Sequence, residues 1–276
     1  MRDLISIVLP VYNGARFLKD SIDSVIAQTH QNWELLILDD CSTDETPEIA
    51  KEYQATDSRI QYYRNEKNLK LPGNLNKGFS LAKGEYLTWT SDDNRFRPNA
   101  LERMLEVLQE KKVGLVCASY QVIDENDKEL HVIRVRNESK GSVLGSNVVG
   151  ACFLYTREVY ETVGDYDTQL FLVEDWDFWQ RVIMRFPFYA IDETLYDYRW
   201  HEASLTSTKN KVRYGELAEK MLLRNRPGFG KLNLEERNGY YKAMSRARNN
   251  LGRKNPYAIK CRYTEWLCRI AGSWKK

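Results

Sequence analysis

The strongest constraint in this sequence is an alternation that runs from Leu4 to Val122. Apolar, β-forming runs at Leu4 to Val11, Trp33 to Leu38, Ile60 to Arg64, Tyr86 to Thr90 and Val113 to Val122 are separated by segments whose apolar residues recur at helical spacing. Tyr86 to Thr90 carries no charge, which suits a strand buried on both faces. The β-α-β-α order of these segments predicts an α/β fold, with a mostly parallel sheet, helices on both faces and right-handed crossovers. Local signals place the helices. Asn13 is the expected N-cap of a helix bearing Phe17, Leu18, Ile22, Val25 and Ile26, and Thr46-Pro47 caps and opens the next. Pro72-Gly73 precedes a third helix with Leu75, Phe79 and Ala82, which Gly84 is expected to end in the left-handed conformation. A fourth helix spans Pro98 to about Gln109.

If the strands are parallel, three polar strand ends fall on one edge: Tyr12-Asn13, Asp39-Asp40 and Asp92-Asp93. In an open α/β sheet that carboxyl edge is where ligands bind. Asp92 and Asp93 repel one another, and a divalent cation relieves such repulsion, so the pair reads as a metal-phosphate site; a turn before a Pro98-initiated helix is the structural alternative. Of Asp39 and Asp40, one is expected to cap the following turn and the other to accept a hydrogen bond from a base or ribose. The first loop has no Gly-x-Gly-x-x-Gly and the chain has no Walker lysine motif, so dinucleotide and P-loop readings lose support.

Size and composition limit the partners. The 276 residues, 42% hydrophobic and 29% charged, describe a soluble protein with room for a full core. The net charge of +2 conceals an asymmetry. Lys209 to Lys276 carries 18 Lys and Arg against 5 Asp and Glu, which leaves 23 against 34 in residues 1–208. The acidic part would repel nucleic acid, so no nucleic-acid partner is expected. The five cysteines, at 41, 117, 152, 261 and 268, form no Cys-x-x-Cys motif, and no membrane-length apolar run or signal-peptide pattern is present. A cytoplasmic protein, soluble or peripheral at the inner face of the membrane, is expected.

Beyond Asp124 the texture changes. A hairpin through Glu125 to Lys128 leads to a polar connection as far as Ser146, then a strand-like stretch from Val148 to Tyr155 and a short helix, Arg157 to Val163, ending at Gly164. Asp165 and Asp167 suit a turn or an acceptor contact. Glu174-Asp175-Trp176-Asp177-Phe178-Trp179 opens a helix that runs through Arg185. Acidic residues favour a first turn, but three carboxylates among two tryptophans exceed what capping needs, and a partly desolvated one can serve as a base. Trp89, Trp176 and Trp179 suit sugar stacking or core packing. Phe188 to Asp192 and Leu195 to Trp200 read as closing strands before His201. Candidate helices follow near 211–225, 235–250 and 257–271. In the last, Ile259, Tyr263, Trp266, Leu267 and Ile270 form a face interleaved with Lys260, Arg262 and Arg269, which could pack on the protein, meet a partner chain or rest on anionic lipid.

Taken together, residues 4 to 206 resemble the family 2 glycosyltransferases of GT-A fold. Ser6 to Asn13 looks like that family's first strand and nucleotide-binding turn, which gives Pro10, Tyr12 and Asn13 nucleotide-binding roles. Asp39-Asp40-Cys41-Ser42-Thr43-Asp44 is similar to its base-binding loop, with Cys41 where glycine is common. Asp92-Asp93 falls at its acidic metal motif, with Thr90 where the usual form has another aspartate; the resemblance assigns Asp93 to the metal and Asp92 to the nucleotide. Glu174-Asp175 resembles its Glu-Asp motif, which makes Asp175 the general base. Tyr198-Arg199-Trp200-His201 resembles a late motif facing the diphosphate, giving His201 a metal or phosphate role. Glu174, Trp176, Asp165 and Arg199 are then expected around the acceptor or behind the site.

The resemblance implies an inverting, Mn- or Mg-dependent transfer of a sugar from a nucleotide-sugar donor, a UDP-sugar being favoured, to a glycan or lipid-linked acceptor in cell-surface polysaccharide or glycolipid synthesis. The expected division is a GT-A domain over 1–206, with a nucleotide-binding half (1–124) and an acceptor-binding half (125–206), and a basic helical tail over 207–276 that meets an anionic membrane, a partner or its own core. A homo-oligomer is compatible with the sequence. A nucleotidyltransferase and a non-catalytic nucleotide- or glycan-binding module are the alternatives.

Overall fold

The computed structural model describes residues 3–136, 140–202, 204–205, 211–226, 232–252 and 254–273. They form two compact units. The first comprises residues up to 137, 149–168 and 186–201, and the second 138–148, 169–185 and 202–276. The chain therefore enters the second unit three times. The boundary expected at 206/207 lies outside the described residues, and the basic helices share their unit with two earlier segments.

The first unit is built on one sheet. Its strands are β1 (Ile5–Val11), β2 (Trp33–Asp39), β3 (Ile60–Arg64), β4 (Tyr86–Trp89), β5 (Arg95–Phe96), β6 (Leu115–Ile123), β7 (Glu129–Ile133), β8 (Phe153–Thr156) and β9 (Phe188–Arg199). They lie in the order β3-β2-β1-β4-β8-β6-β9-β5, with β7 paired to β6. The β3-β2-β1-β4 segment is parallel, β8 runs antiparallel to both neighbours, and β6 and β9 are parallel again. The helices are α1 (Leu18–Ile26), α2 (Thr46–Thr56), α3 (Lys70–Leu81), α4 (Ala100–Lys111) and α6 (Arg157–Val163). Strand parity divides them. Ile5, Ile7, Leu9, Leu35 and Ile37 share a core with α1, α2 and α4, whereas Val8 and Leu38 point at Gly78 of α3, where a side chain would overlap Val8. The sheet thus carries helices on both faces, as its sequence pattern implies.

Several local expectations are corrected. Asn13 is not an N-cap: α1 starts at Leu18, and Asn13 sits at φ 54° in the loop before it. Thr46 lies inside α2, with Glu45 at the N-cap position, and its hydroxyl accepts from the Gly14 N–H at 3.0 Å. Pro72 and Gly73 lie in the first turns of α3, which begins at Lys70. Gly84 does not have positive φ; it is required because a Cβ there would come within 2.7 Å of the Leu4 carbonyl and the Ser6 amide of β1. The two closing strands are one, β9, whose pairing with β6 shifts register near Ser119.

The second unit contains α5 (Lys140–Gly145), α7 (Glu174–Ile183), α8 (Lys211–Asn225), α9 (Leu234–Asn250) and α10 (Pro256–Ser273). Leu144, Leu170, Val173, Trp176, Ala218, Met221, Leu222, Tyr240, Ala243 and Met244 form its core. α5 replaces part of the expected polar connection. A Cβ on Gly239 of α9 would overlap the Gly141 backbone, and one on Gly141 would overlap the Glu235 carbonyl of α9. α9 opens with a capping box in which Asn233 and Glu236 bond each other's backbone amides. No described helix is long and apolar enough to cross a membrane.

Candidate active site

Parallel pairing aligns Val11 with Asp39 and Val8 with Trp89, so β1, β2 and β4 end on one edge. The loops after β1 and β2 are bonded to each other. The Asn13 amide donates to Ser42 Oγ at 2.9 Å, and Asn13 Oδ1 accepts from the Thr43 amide at 2.8 Å. Tyr12 leaves this edge 54% exposed, while Pro10 is buried within β1. Cys41 has φ 68°, a left-handed conformation that explains why glycine suits this position.

The two carboxylates after β2 divide their work. Asp39, fully buried, caps the turn through Ser42 N–H at 2.8 Å and accepts from the Tyr62 hydroxyl at 2.7 Å. Asp40 Oδ1 accepts from Asn65 Nδ2 at 2.8 Å and the Leu69 amide at 2.7 Å, fastening the loop before α3. Lys77 Nζ reaches the same network through Asn65 Oδ1 at 2.7 Å. Asn65, Asn74 and Lys77 carried no motif in the sequence, because they act only through this fold contact.

Asp92 and Asp93 follow β4. A Cβ at Gly14 would overlap Asp92 Oδ2, so the absence of a side chain there is what admits the carboxylate. Burial, and then the charge of Asp93, push the Asp92 carboxyl up to about 7. Asp93 Oδ2 lies 3.1 Å from His201 Nε2, and this bond raises the imidazole's proton affinity. The His201 ring packs 5.8 Å from Phe17. Thr90, where the family usually has aspartate, is 1% exposed and bonds the Tyr196 hydroxyl at 2.7 Å, so its side chain belongs to the core.

Behind this group stands Arg199, 1% exposed. Its Nε donates to the Asp93 carbonyl at 3.0 Å, and Nη1 donates to the Asp124 carbonyl at 3.2 Å and Asp127 Oδ1 at 2.8 Å. Its guanidinium also lies 4.4 Å from the Phe17 ring centre. Arg199 thus supports the Asp93 loop from within. Asp165 is exposed and accepts from the Tyr160 hydroxyl at 2.6 Å, beside the end of α6.

The second unit holds the other acidic motif at the start of α7. Glu174 is 4% exposed and accepts from the Leu172 amide at 2.6 Å. Burial and the neighbouring Asp175 charge push its carboxyl up to about 8. Asp175 is half-buried. Burial raises its proton affinity, while the Trp176 amide and Asn147 Nδ2, each 2.6 Å away, hold the charged form. Burial raises both carboxyls, and the neighbouring Asp175 charge adds to the shift of Glu174. Asn147 lies in a stretch that reads only as polar connection, so nothing in the sequence marked it.

The third acid of the cluster has a separate role. Asp177 is fully buried and takes Arg181 at 3.0 Å, Arg224 at 2.8 Å and Asn225 at 2.7 Å, tying α7 to α8. Trp176 is 4% exposed, donates to the Val143 carbonyl at 2.9 Å and stacks on Tyr214, and Trp179 is fully buried, so both pack the core.

Glu174 yields a pH prediction. Its folded-state proton affinity exceeds that of a free glutamate, whose pKa is 4.5, so between about 4.5 and about 8 the folded state holds a proton that the unfolded chain has released. Stability should therefore fall as pH rises through that window, by up to about 1.4 kcal/mol per pH unit. Glu174→Gln should flatten this slope in urea unfolding measured across the window; an unchanged slope would remove Glu174 as its source.

Comparisons with known proteins identify the family and the fold. The model of the family described as glycosyl transferase family 2 matches residues 6–164. An uncharacterised glycosyltransferase of Rickettsia typhi is 31% identical over 215 residues, 74% of this chain and 66% of that protein. A putative teichuronic acid biosynthesis glycosyltransferase of Bacillus subtilis, TuaG, is 27% identical over 216 residues, 76% of this chain and 84% of that protein. The chain spans just under two thirds of the Rickettsia typhi relative and about a third of a longer Rickettsia felis relative. Among solved structures, Staphylococcus aureus TarS in complex with UDP-GlcNAc superposes with a TM-score of 0.71 at 14% identity, over 89% of this chain and 72% of that one. The mannosyltransferase PcManGT of Pyrobaculum calidifontis, in complex with GDP-Man and Mn2+, gives 0.65 at 16% identity, over 95% and 79%. These likenesses support the GT-A fold, and the family match covers the whole rim from Tyr12 to Asp93. The chain belongs to glycosyl transferase family 2.

Proposed function

We infer that this chain transfers a sugar, with inversion, from a nucleotide-sugar donor to an acceptor hydroxyl. The observation that carries the reading is the rim itself: three adjacent parallel strands deliver Tyr12-Asn13, Asp39-Asp40 and Asp92-Asp93 to one edge, with His201 bonded to Asp93. The Tyr12 ring is exposed enough to stack on a base, and the Asn13 and Asp39-Asp40 loops frame the nucleoside. TarS and PcManGT bind UDP-GlcNAc and GDP-Man, respectively, on the same fold. A UDP-sugar is the favoured donor, and the kinship with TuaG favours an acceptor in cell-surface polysaccharide synthesis.

Asp93 is the proposed ligand of a divalent cation, with His201 and Asp92 beside it. The donor set fits: hard carboxylate oxygens suit Mn or Mg, and the adjacent Asp92 and Asp93 carboxylates repel one another in a way that a cation relieves. Among the described residues no group of three His, Cys, Asp or Glu side chains could hold a metal ion by itself. When bound, such an ion neutralises charge on the diphosphate leaving group. Arg199 holds the Asp93 backbone in place, and Asp175 accepts the acceptor hydroxyl's proton. The freed oxygen forms a bond to the anomeric carbon as the bond to the diphosphate breaks on the opposite face, which inverts that centre.

A thermal-shift series with UDP-, GDP-, dTDP- and CMP-sugars, each with and without Mn, tests the reading. One nucleotide class should raise the melting temperature in a Mn-dependent way, since a ligand at 100 times its Kd stabilises by about 2.7 kcal/mol. Absence of any shift, and of donor hydrolysis or transfer, would contradict it. A Mn-dependent shift with no turnover would favour the non-catalytic module.

A further inference from the structure

We propose that α10 is an interfacial helix that rests on an anionic lipid surface. Ile259, Tyr263 and Trp266 occur at i, i+4 and i+7 and form one strip along this helix. They are 67%, 60% and 56% exposed, so neither unit's core absorbs them. The opposite face fixes the helix's orientation. Thr264 is buried and bonds Asn238 of α9 at 3.2 Å, and Glu265 pairs with Lys242 of α9 at 3.0 Å. The strip therefore faces outward by construction.

Charge identifies the occupant. At about 100° per residue, Lys260 falls on one side of the strip and Arg262 on the other, and both are exposed. Residues 253–276 contain seven Lys and Arg against one acid, Glu265, which is turned towards α9. An aromatic-aliphatic strip between basic flanks is the pattern of a helix that lies in the headgroup region, with rings at the acyl boundary and cations at lipid phosphates. A second copy of this helix would meet the strip with the same positive flanks, and like charges would oppose that pairing. The arrangement also suits an enzyme whose acceptor is lipid-linked, but it does not depend on the proposed reaction.

Vesicle flotation of the full chain tests the proposal without donor, acceptor or turnover, so its outcome is separable from that of the glycosyl-transfer reading. The protein should float with phosphatidylcholine vesicles containing phosphatidylglycerol, remain behind with phosphatidylcholine alone, and be released at high salt. Lys260→Gln with Arg262→Gln should lower partitioning roughly twenty-five-fold, at about fivefold per charge. Ile259→Ser, Tyr263→Ser and Trp266→Ser together should abolish it, with circular dichroism confirming the fold; if the triple variant does not fold, the charge pair still decides. Absence of flotation at low salt, flotation unaffected by both sets, or a concentration-dependent dimer that the triple variant dissolves would overturn the proposal.

Discussion

Asp175→Asn is expected to lower kcat by roughly 10²–10⁴-fold while leaving donor affinity nearly unchanged, because it removes the proposed general base and none of the proposed nucleotide-binding residues. The substitution is close to isosteric, and the Trp176 amide still finds an oxygen to bond. Folding should not suffer. Removing the Asp175 charge also relieves its neighbour, so the Glu174 proton affinity should fall towards that of a free glutamate. Single-turnover transfer assays beside donor titrations separate the two effects. A variant with near-normal kcat would show that another group takes the acceptor proton. Equal losses in donor binding and turnover would assign Asp175 to nucleotide recognition instead.

Arg199→Ala should produce the largest loss of stability among single substitutions near the rim. The guanidinium is 1% exposed and serves the Asp93 and Asp124 carbonyls together with Asp127. Asp20 and Asp127 are about half exposed and would regain water; the Asp93 and Asp124 carbonyls and the vacated volume would not be compensated so readily. Lost bonds and cavity together suggest about 3–5 kcal/mol. Arg199→Lys should recover only part of this, since one ammonium cannot reproduce a fork that reaches three partners. Urea unfolding gives the stability term, and Mn-dependent donor binding by Arg199→Lys reports how far the Asp93 loop has loosened. A stability change below about 1 kcal/mol would mean that the buried network is not what holds the loop.

The first 123 residues were largely legible because the central strands β1 and β2 are predominantly apolar runs buried along their length, and the helices between them carry their own apolar stripes. Ile60–Arg64 and Arg157–Val163 coincide with their expected limits. Legibility failed where a residue acts through a distant contact. Asn13 and Thr46 looked like caps, but their polar atoms join the β1 and β2 loops. Gly84 looked like a helix terminator and instead makes room for the β1 backbone. α5 was hidden because Gly141 and Gly145 weaken a helix locally, and only the close approach of α9, at Glu235 and Gly239, shows why Gly141 stands there.

The site was readable to the same depth. The acidic pairs stood out by residue type, whereas Asn147, Asn65 and Lys77 become visible only when the fold brings them to Asp175 and Asp40. Asp177 was grouped with the catalytic candidates by adjacency alone. The α-helical period turns it away from Asp175 and onto Arg181 and Arg224.

The central claim is that the carboxyl edge of β1, β2 and β4 holds a nucleotide diphosphate and one divalent cation. Anomalous diffraction from crystals grown with Mn2+ and UDP tests it most directly. The account predicts an anomalous peak at the Asp93 carboxylate, with the nucleoside against Tyr12 and the Asp39-Asp40 loop. A peak remote from Asp93, or UDP bound away from that edge, would contradict it.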